Sequence, residues 1–368
     1  MKKIAFHLNC LEQGGAERVV SNLAGQFVRE GYEVYIATEW EGENEFAIDP
    51  AIHRVHVGLR PEDASKGRIR QFLLRVRYLK AFMKEVKPDV LCAFAQRANY
   101  RALMACPGTG VPVVISIRTD PTGHYDALSD KIQIPLLFPR AAGCVFQTTG
   151  QKAFFKPYLQ DNSRIILNPV NPKYIGVPGP EIRDKSVVQS ARLVDFKNQP
   201  MLLEAFFKVH EKHPDYVLKI YGPDSFDGTR EILEKMIKEH QAQDYILLMG
   251  GSDSLEKELP RGAVFAFSSD WEGLPNALME AMALGMPIVA TDCPCGGPAT
   301  ILQHEVNGLL VPIKDPEAMA AGICRLIEDR ELAERLGKKA REIKDIAGAK
   351  EVFLQWQEYL EQVIRNAG

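Results

Sequence analysis

Two glutamates, Glu272 and Glu280, have the residue type and spacing in this sequence that best suit chemistry. Glu272 lies in a loop after an apolar run, and Glu280 lies about one turn inside the helix predicted to follow. Between them, after Gly273 and Leu274, Pro275 and Asn276 suit a helix start. Carboxylates accept paired hydrogen bonds from sugar or ribose hydroxyls, and free N–H groups at a helix start bind phosphate. A cap or a surface ion pair explains either glutamate alone, but explains both less well.

Arg192 and Lys197 follow the first strand that we predict in the second half of the chain. Open α/β sheets bind ligands near the carboxyl ends of their strands. A planar guanidinium and a point-charge ammonium are both suited to a diphosphate. The alternative is that they are two solvated surface cations.

Gly14 and Gly15 follow the first predicted strand, and a helix then extends to about Glu30, with Gly31 as its C-cap. Glycine allows the backbone to approach a ligand closely, and a helix start favours anions. An ordinary tight turn explains the same two glycines equally well.

Short apolar runs rich in Val and Ile alternate with helical patterns, which predicts parallel sheets covered by helices on both faces. The stretch Asn168–Asp184, rich in proline and glycine, supports no regular element and indicates a linker. We therefore predict an α/β protein with two doubly wound, Rossmann-like domains facing each other across a cleft. The predicted domains are residues 1–170 and 171–348, and a C-terminal helix, 349–368, is expected to pack across their boundary.

The first predicted strand series is Lys3–Leu8, Glu33–Thr38, Arg54–Val57, Asp89–Phe94, Pro112–Ile117, Gly143–Gln147 and Arg164–Leu167. The second series is Ser186–Ser190, Tyr216–Tyr221, Tyr245–Met249, Ala263–Phe267, Pro287–Thr291 and Gly308–Val311. Helices are predicted at Gln199–Lys212, Asn276–Leu284 and Glu317–Glu328.

Charge and cysteine content exclude several classes of protein. The net charge of −3 gives no case for nucleic acid, but residues 1–170 hold 22 Lys and Arg against 17 Asp and Glu, while the remainder holds 23 against 31. Different partners for the two halves are expected. Seven scattered cysteines without a CxxC motif indicate reduced thiols in the cytosol. Cys293-Pro294-Cys295 lacks a second Cys or His pair, so we expect no metal site there.

Residues 66–87 contain eight cations and one acid. A helical wheel places Arg70, Arg77, Lys80, Lys84 and Lys87 on one face. The apolar residues on the other face are Phe72, Val76, Leu79, Phe82, Met83 and Val86. A basic amphipathic helix suits an anionic membrane surface or a lipid-diphosphate acceptor. Packing of the apolar face in the core, with a solvated basic face, is an equal and compatible alternative.

Taken together, several motifs resemble glycosyltransferase family 4. They are GGAE at 14–17, NPV at 168–170, ARLVDFKN at 191–198, YGP at 221–223, EGLPNALMEAMALGMPIVATD at 272–292 and NGLLVP at 307–312. The resemblance covers nearly the whole chain in the right order. It implies the GT-B fold, transfer with retention of anomeric configuration and no cofactor, since the family needs no metal held by a DxD motif.

The resemblance also implies residue roles. Arg192 and Lys197 would hold the donor diphosphate, Glu272 would contact the transferred sugar, and Glu280 would contact the ribose. Gly222 and the segment 273–276 would join the donor site, and the Gly14–Gly15 loop would close on the diphosphate.

One position departs from the family pattern. Many members carry a sugar-binding His after the strand that here ends at Ile117, but this sequence has Arg118. Arg118, Asp120 or His124 is expected to take that role, and an ordinary loop position is the alternative for His124.

These observations predict a cytoplasmic enzyme that transfers a hexose or N-acetylhexosamine from a nucleotide sugar, with UDP as the expected nucleotide, to a glycan or lipid-linked saccharide. Peripheral association with the inner face of the membrane is compatible with this prediction. The alternatives are a nucleotide-sugar epimerase of the same fold, a two-lobed solute-binding protein, which would need an export signal, and an NAD-dependent dehydrogenase, which would need a GxGxxG motif after the first strand.

Overall fold

The structure is a computed structural model, and it describes residues 1–12 and 14–367. The chain divides into two compact units. The first unit is Met1–Asn168 together with the C-terminal segment that begins at Val352, and the second unit is Pro169–Glu351.

The described part of the first unit contains a parallel sheet of seven strands in the order β3-β2-β1-β4-β5-β6-β7. The strands are β1 Lys3–Leu8, β2 Glu33–Thr38, β3 His53–His56, β4 Val90–Phe94, β5 Val113–Ser116, β6 Gly143–Phe146 and β7 Ser163–Ile165. The helices are α1 Gly15–Arg29, α2 Arg68–Val86, α3 Gln96–Ala105, α4 Pro121–His124, α5 Leu128–Leu137, α6 Thr149–Phe154 and α7 Pro157–Asp161.

The second unit contains a parallel sheet of six strands in the order β10-β9-β8-β11-β12-β13. The strands are β8 Asp184–Ser190, β9 Val217–Tyr221, β10 Ile246–Gly250, β11 Gly262–Phe267, β12 Ile288–Thr291 and β13 Leu309–Val311. The helices are α8 Gln199–Lys212, α9 Thr229–Glu239, α10 Leu255–Glu258, α11 Asn276–Ala283, α12 Gly297–Ile301, α13 Pro316–Glu328, α14 Arg330–Ala340 and α15 Ile343–Ala347.

The strand prediction is confirmed for both sheets, with ends that differ by one or two residues. Central strands such as β4 and β5 are buried on both faces, so they appear in the sequence as continuous apolar runs. The edge strands β3 and β7 are only partly buried. In each sheet the first strand has its successor on one side and a later strand on the other, which is the doubly wound arrangement.

The last helix, α16 (Ala349–Ala367), packs on the sheet of the first unit. The ring of Trp356 stacks on that of Phe94 at a centroid distance of 5.5 Å, and Phe353 meets Phe27 edge to face. The hydroxyl of Tyr359 accepts from the backbone N–H of Cys144 at 2.8 Å. We predicted a separate segment, 349–368, across the domain boundary. The structure assigns the chain from Val352 onward to the first unit, and the packing across the boundary stays a prediction.

None of the helices in the described residues has the length and apolar character needed to cross a membrane.

Candidate active site

Two loops of the second unit meet at the carboxyl edge of its sheet, where β8 and β11 are neighbours and the strand order reverses. Ser268, just after β11, donates through its hydroxyl to the carbonyl of Lys197 at 2.8 Å, and accepts from the Gln189 amide at 2.8 Å. The backbone N–H of Asp270 donates to the carbonyl of Phe196 at 2.9 Å. Ligands bind at this kind of edge in open α/β sheets.

Lys197 and Glu272, which the sequence places 75 residues apart, form a salt bridge with each other. Each side chain is 15% exposed. The Lys197 ammonium also lies 5.2 Å from the ring centroid of Phe196, which stacks on Trp271. The carboxylate and the ammonium therefore hold each other in place, largely removed from water, at the edge of the sheet.

Arg192 is exposed, and its carbonyl accepts from the Gln199 amide at 2.8 Å. Asn198 has the left-handed conformation, with φ at 46°, and its side chain accepts from the backbone N–H of Met201 to cap α8. The cap fixes the direction in which the chain enters α8, and so fixes the backbone that carries Lys197.

Gly222 packs against the loop that carries Arg192. A Cβ atom at Gly222 would lie 1.9 Å from the carbonyl oxygen of Ala191. Only glycine permits this approach of β9 to the β8 loop. Gly222 thus contacts the backbone of Ala191, beside Arg192. Binding of the donor by Gly222 stays a prediction.

Segment 273–276 leads into α11. Gly273, Leu274 and Pro275 are buried, and Asn276 is the first residue of the helix. A Cβ at Gly297 would lie 2.0 Å from the carbonyl oxygen of Gly273, so the loop after β12 lies directly on this segment.

Glu280 lies inside α11 and is 6% exposed. The expectation that it lies about one turn into the helix agrees with these bounds. Burying a carboxylate to this extent requires compensating interactions, so Glu280 is not a solvated surface residue.

Cys293 lies close to this loop. Burial raises the pKa of its thiol, and the nearby Glu272 raises it further. Among the described residues, the group with ligand types and spacing for a metal ion is elsewhere: His213, Cys324 and Glu328, whose ligand atoms all lie within 4.8 Å of one another. His213 follows the 14-residue α8, so it lies about 20 Å from Asn198 at the other end.

In the first unit, α1 begins at Gly15 with Gly14 as its N-cap. A Cβ at Gly14 would lie 2.2 Å from a carboxylate oxygen of Glu17. Burial raises the pKa of Glu17, in the first turn of α1, and the charge of Arg118 lowers it. Neither prediction for Gly14 and Gly15, ligand binding or a tight turn, is tested by these contacts.

Arg118 follows β5 and is held by Asn168, the first residue of the NPV motif. Its Nη2 donates to Asn168 Oδ1, which also accepts from the Gln147 amide at 2.8 Å. Nε and Nη1 of Arg118 are buried and have no hydrogen-bond partner among the described residues. Burial lowers the pKa of Arg118 to about 9, and Glu17 raises it, so the side chain is a cation at neutral pH. Two of its donors therefore remain for an anionic or hydroxyl ligand.

A cavity of about 270 Å³ lies at the carboxyl edge of the first sheet, beside Arg118. Its lining includes Asn9 after β1, Ala95 after β4 and Arg118 after β5. Ala95 has φ 74° and ψ 153°, a conformation found almost only in glycine. Such strain collects at functional sites, and the sequence gives no sign of it because the residue is an alanine.

Asp120 and His124 differ in their surroundings. Asp120 is 3% exposed and caps α4 by accepting from the backbone N–H of Thr122 at 2.9 Å. His124 is exposed, with Nδ1 3.2 Å from the hydroxyl of Thr119, and it lines the cavity beside Arg118.

The basic helix corresponds to α2, and only its second half is packed as predicted. Leu79, Phe82 and Met83 are buried in the core. Phe72, which we placed on the inward face, is 41% exposed, because the first half of α2 does not lie against the core. The four predicted acceptor or membrane cations are exposed or partly exposed: Arg70, Arg77, Lys80 and Lys84.

Comparisons with known proteins identify the family of the chain. Residues 13–174 match the model described as "Glycosyltransferase Family 4", and residues 173–343 match "Glycosyl transferases group 1". The chain is 24% identical to an uncharacterized glycosyltransferase of Haemophilus influenzae, covering 97% of this chain and 99% of that protein.

Two further proteins are similar over most of their length. An N-acetylgalactosamine-N,N'-diacetylbacillosaminyl-diphospho-undecaprenol 4-alpha-N-acetylgalactosaminyltransferase of Campylobacter jejuni is 26% identical, with 93% of this chain and 94% of that protein covered. The structure of Anabaena Alr3699/HepE in complex with UDP has a TM-score of 0.84 at 17% identity, covering 98% of this chain and all of the other.

The two sheets and these matches define the protein as a glycosyltransferase with the GT-B fold. The chain belongs to the family 4 glycosyltransferases.

Proposed function

We propose that this enzyme transfers a hexose or N-acetylhexosamine, with retention, from a UDP-sugar to a glycan or lipid-linked saccharide, without a metal ion. The observation that carries the proposal is the pairing of Lys197 with Glu272 at the edge of the second sheet. Arg192 lies five residues before Lys197, and Glu280 lies on the helix that follows Glu272. UDP is the nucleotide in the Anabaena complex, and the Campylobacter relative is named for a lipid-linked acceptor.

The charges at this edge suit the departure of a diphosphate. Breaking the sugar–phosphate bond develops positive character on the sugar and negative charge on the leaving group. Arg192 and Lys197 stabilise that negative charge, and removal of one preorganised donor typically lowers the rate on the order of 10²–10³-fold. Glu272 and Glu280 accept hydrogen bonds from sugar and ribose hydroxyls.

Retention requires attack from the face that the phosphate leaves. No carboxylate in the proposed site is assigned as a nucleophile, so we assign the proton of the acceptor hydroxyl to the departing phosphate. Arg118, His124 or Asp120 would contact the transferred sugar. Asp120 has the weakest case, because helix capping already uses its carboxylate.

We further propose that the enzyme works in the cytoplasm and binds the inner face of the membrane through α2. The closest alternative is an epimerase of the same fold. Family membership favours transfer over epimerisation.

Nucleotide binding gives the first test. UDP and UDP-sugars should raise the melting temperature more than GDP or ADP, because only a ligand that binds the folded protein stabilises it. At about 100 times its Kd, such a ligand adds ~2.7 kcal/mol to the free energy of unfolding. Arg192→Gln should lose most of this shift. Arg335→Gln, an exposed arginine on α14, is the matched control and should keep it. Stabilisation by GDP or ADP alone would refute the choice of UDP.

Product analysis gives the second test. Incubation with a UDP-sugar and a lipid-linked saccharide should give a product with the anomeric configuration of the donor. A product of inverted configuration, or a changed nucleotide sugar without transfer, would refute the proposal.

A further inference from the structure

A second and larger cavity, of about 490 Å³, lies in the first unit between α2, α3 and α5. This volume is in the range of small-molecule sites. The cavity shares Gln96, Arg97 and His124 with the smaller cavity beside Arg118, so the two adjoin. The proposed donor site does not use it.

The lining is strongly basic. Four arginines, Arg68, Arg75, Arg97 and Arg101, line the cavity together with one carboxylate, Asp130. The Asp130 carboxylate already accepts from the Tyr100 hydroxyl at 2.7 Å and from the Gln96 amide at 3.1 Å. The lining therefore carries four arginine charges against the single carboxylate of Asp130.

Two of the arginines share a single partner. Arg75 donates to Glu39 at 2.8 Å, and Arg101, which is 8% exposed, is also paired with Glu39. Arg68 and Arg97 are exposed and form no ion pair within the described residues. Burial lowers the pKa of Arg101, and the charge of Glu39 raises it. The charges of Arg75 and Arg97 also lower the pKa of Arg101, as expected for arginines that line the same cavity. Such a cluster suits a ligand with more than one negative charge.

The helices that form the walls of this cavity also expose large apolar side chains. On α5, Leu128, Ile132 and Leu136 are 77%, 64% and 60% exposed at a spacing of four residues, so they form one stripe. On α2, Ile69 and Leu73 are 80% and 58% exposed. Exposed apolar residues clustered around a charged cavity suit a ligand with one apolar and one anionic end.

We propose that this arginine cavity binds the phosphate or diphosphate group of a lipid-linked acceptor, and that the apolar stripe of α5 contacts the lipid chain next to it. The inference rests on the proposed function and deepens it by assigning the acceptor a site. A saccharide joined to that phosphate would extend through the shared lining at Arg97 and His124 toward Arg118.

The test measures binding without any donor. Farnesyl diphosphate is the lipid probe, inorganic pyrophosphate the probe without a lipid chain, and phosphatidylglycerol vesicles the bulk anionic surface. The wild type should bind farnesyl diphosphate more tightly than pyrophosphate. Arg68→Gln with Arg97→Gln should weaken binding of both by about tenfold or more, since each removes a charge-assisted contact. Arg29→Gln with Arg140→Gln, exposed arginines outside the cavity, makes the same charge change and should have less than a twofold effect.

The apolar stripe is tested separately. Changing Leu128, Ile132 and Leu136 to Ser should weaken farnesyl diphosphate binding to the level of pyrophosphate and leave pyrophosphate binding unchanged. The control changes three exposed apolar residues of the second unit to Ser and should alter neither affinity: Ile182, Phe226 and Ile232.

Four results would overturn the inference. The first is that the wild type does not bind farnesyl diphosphate, and the second is that the two arginine pairs have equal effects. The third is a stripe variant that binds both probes normally, and the fourth is displacement of farnesyl diphosphate by vesicles at equal lipid phosphate. The third result would show that the lipid chain does not contact the α5 stripe, and the fourth would indicate a surface for bulk bilayer. Equal binding of the two probes by the wild type would indicate a free-phosphate site and would also overturn the inference. UDP stabilisation is measured on the same proteins. If UDP binds and the cavity variants have no effect, only the cavity inference fails. If UDP and UDP-sugars do not bind the wild type, the proposed function fails whatever the cavity binds.

Discussion

The salt bridge between Lys197 and Glu272 leads to a prediction with an unusual sign. In the ligand-free protein the two side chains neutralise each other, whereas the proposed donor separates their tasks: Lys197 contacts the diphosphate and Glu272 contacts the sugar. Glu272→Gln therefore releases Lys197 from a competing partner and removes a negative charge near the phosphates. We expect this variant to bind UDP as tightly as the wild type or more tightly, and to bind the UDP-sugar less tightly.

The magnitude follows from burial. Exposed ion pairs contribute about 0.2–1 kcal/mol, and breaking a fully buried pair costs about 3–5 kcal/mol. With both side chains 15% exposed, the pair lies between these limits. A release worth ~1 kcal/mol would tighten UDP binding roughly fivefold. Loss of a charge-assisted hydrogen bond to the sugar costs ~1.5–3 kcal/mol. The affinity for the UDP-sugar should therefore fall by about 10-fold to 150-fold relative to the affinity for UDP.

The assay is isothermal titration with UDP and with the UDP-sugar that best stabilises the wild type. Lys197→Met should weaken both ligands. Lys208→Met and Glu317→Gln, which break an exposed ion pair of the same unit, are the controls and should change neither affinity. If Glu272→Gln weakens UDP and the UDP-sugar by the same factor, Glu272 is a structural residue and the separation of tasks is wrong.

Four further predictions address other parts of the molecule. Glu280→Gln should fold with an unchanged melting temperature within a few degrees and lose transfer, measured as product formed; full activity would leave only a structural role. Transfer in excess EDTA should stay near its untreated rate, since two cations neutralise the diphosphate, and a loss restored by Mn²⁺ would contradict this. Changing Arg77, Lys80 and Lys84 to Ser should reduce sedimentation with anionic liposomes and leave donor hydrolysis unchanged. At low salt each lost charge should weaken the free energy of membrane binding by roughly 1 kcal/mol. A wild type that does not sediment with the liposomes would refute membrane binding. Ala95→Gly should raise the free energy of unfolding, measured by urea titration, by ~1 kcal/mol. The substitution relieves ~1–3 kcal/mol of backbone strain, which exceeds the ~0.5–1 kcal/mol that the flexibility of glycine costs. A lower free energy of unfolding would show that Ala95 is not strained.

The sequence predicted the strands well because the central strands of a parallel sheet are buried on both faces and form apolar runs of their own. The resemblance to family 4 implied that Arg192, Lys197 and Glu272 belong to one donor site, and the structure brings Lys197 and Glu272 together. That Lys197 and Glu272 pair with each other was not predictable. Pairing depends on the φ value of Asn198 and on contacts between two loops that are far apart in the sequence.

The helical wheel of α2 shows the limit of a periodic pattern. It assumes that one face is inward along the whole helix, and so it placed Phe72 with the buried Phe82. Burial depends on what lies beneath each turn, and the core ends before the first turns of α2. The arginine cavity was missed for a related reason. Arg75, Arg97 and Arg101 lie on two different helices, and each alone looks like an ordinary solvated cation.

The two units use charge in different ways at their proposed sites. In the acidic second unit, a cation and a carboxylate pair at the sheet edge, and both are largely removed from water. In the basic first unit, two cavity arginines stay exposed without a carboxylate partner in the described residues. Salt screens exposed charges more than partly buried ones. If both sites bind as proposed, raising the ionic strength should therefore weaken the contacts of the acceptor phosphate with Arg68 and Arg97 more than the contact of the donor diphosphate with Lys197.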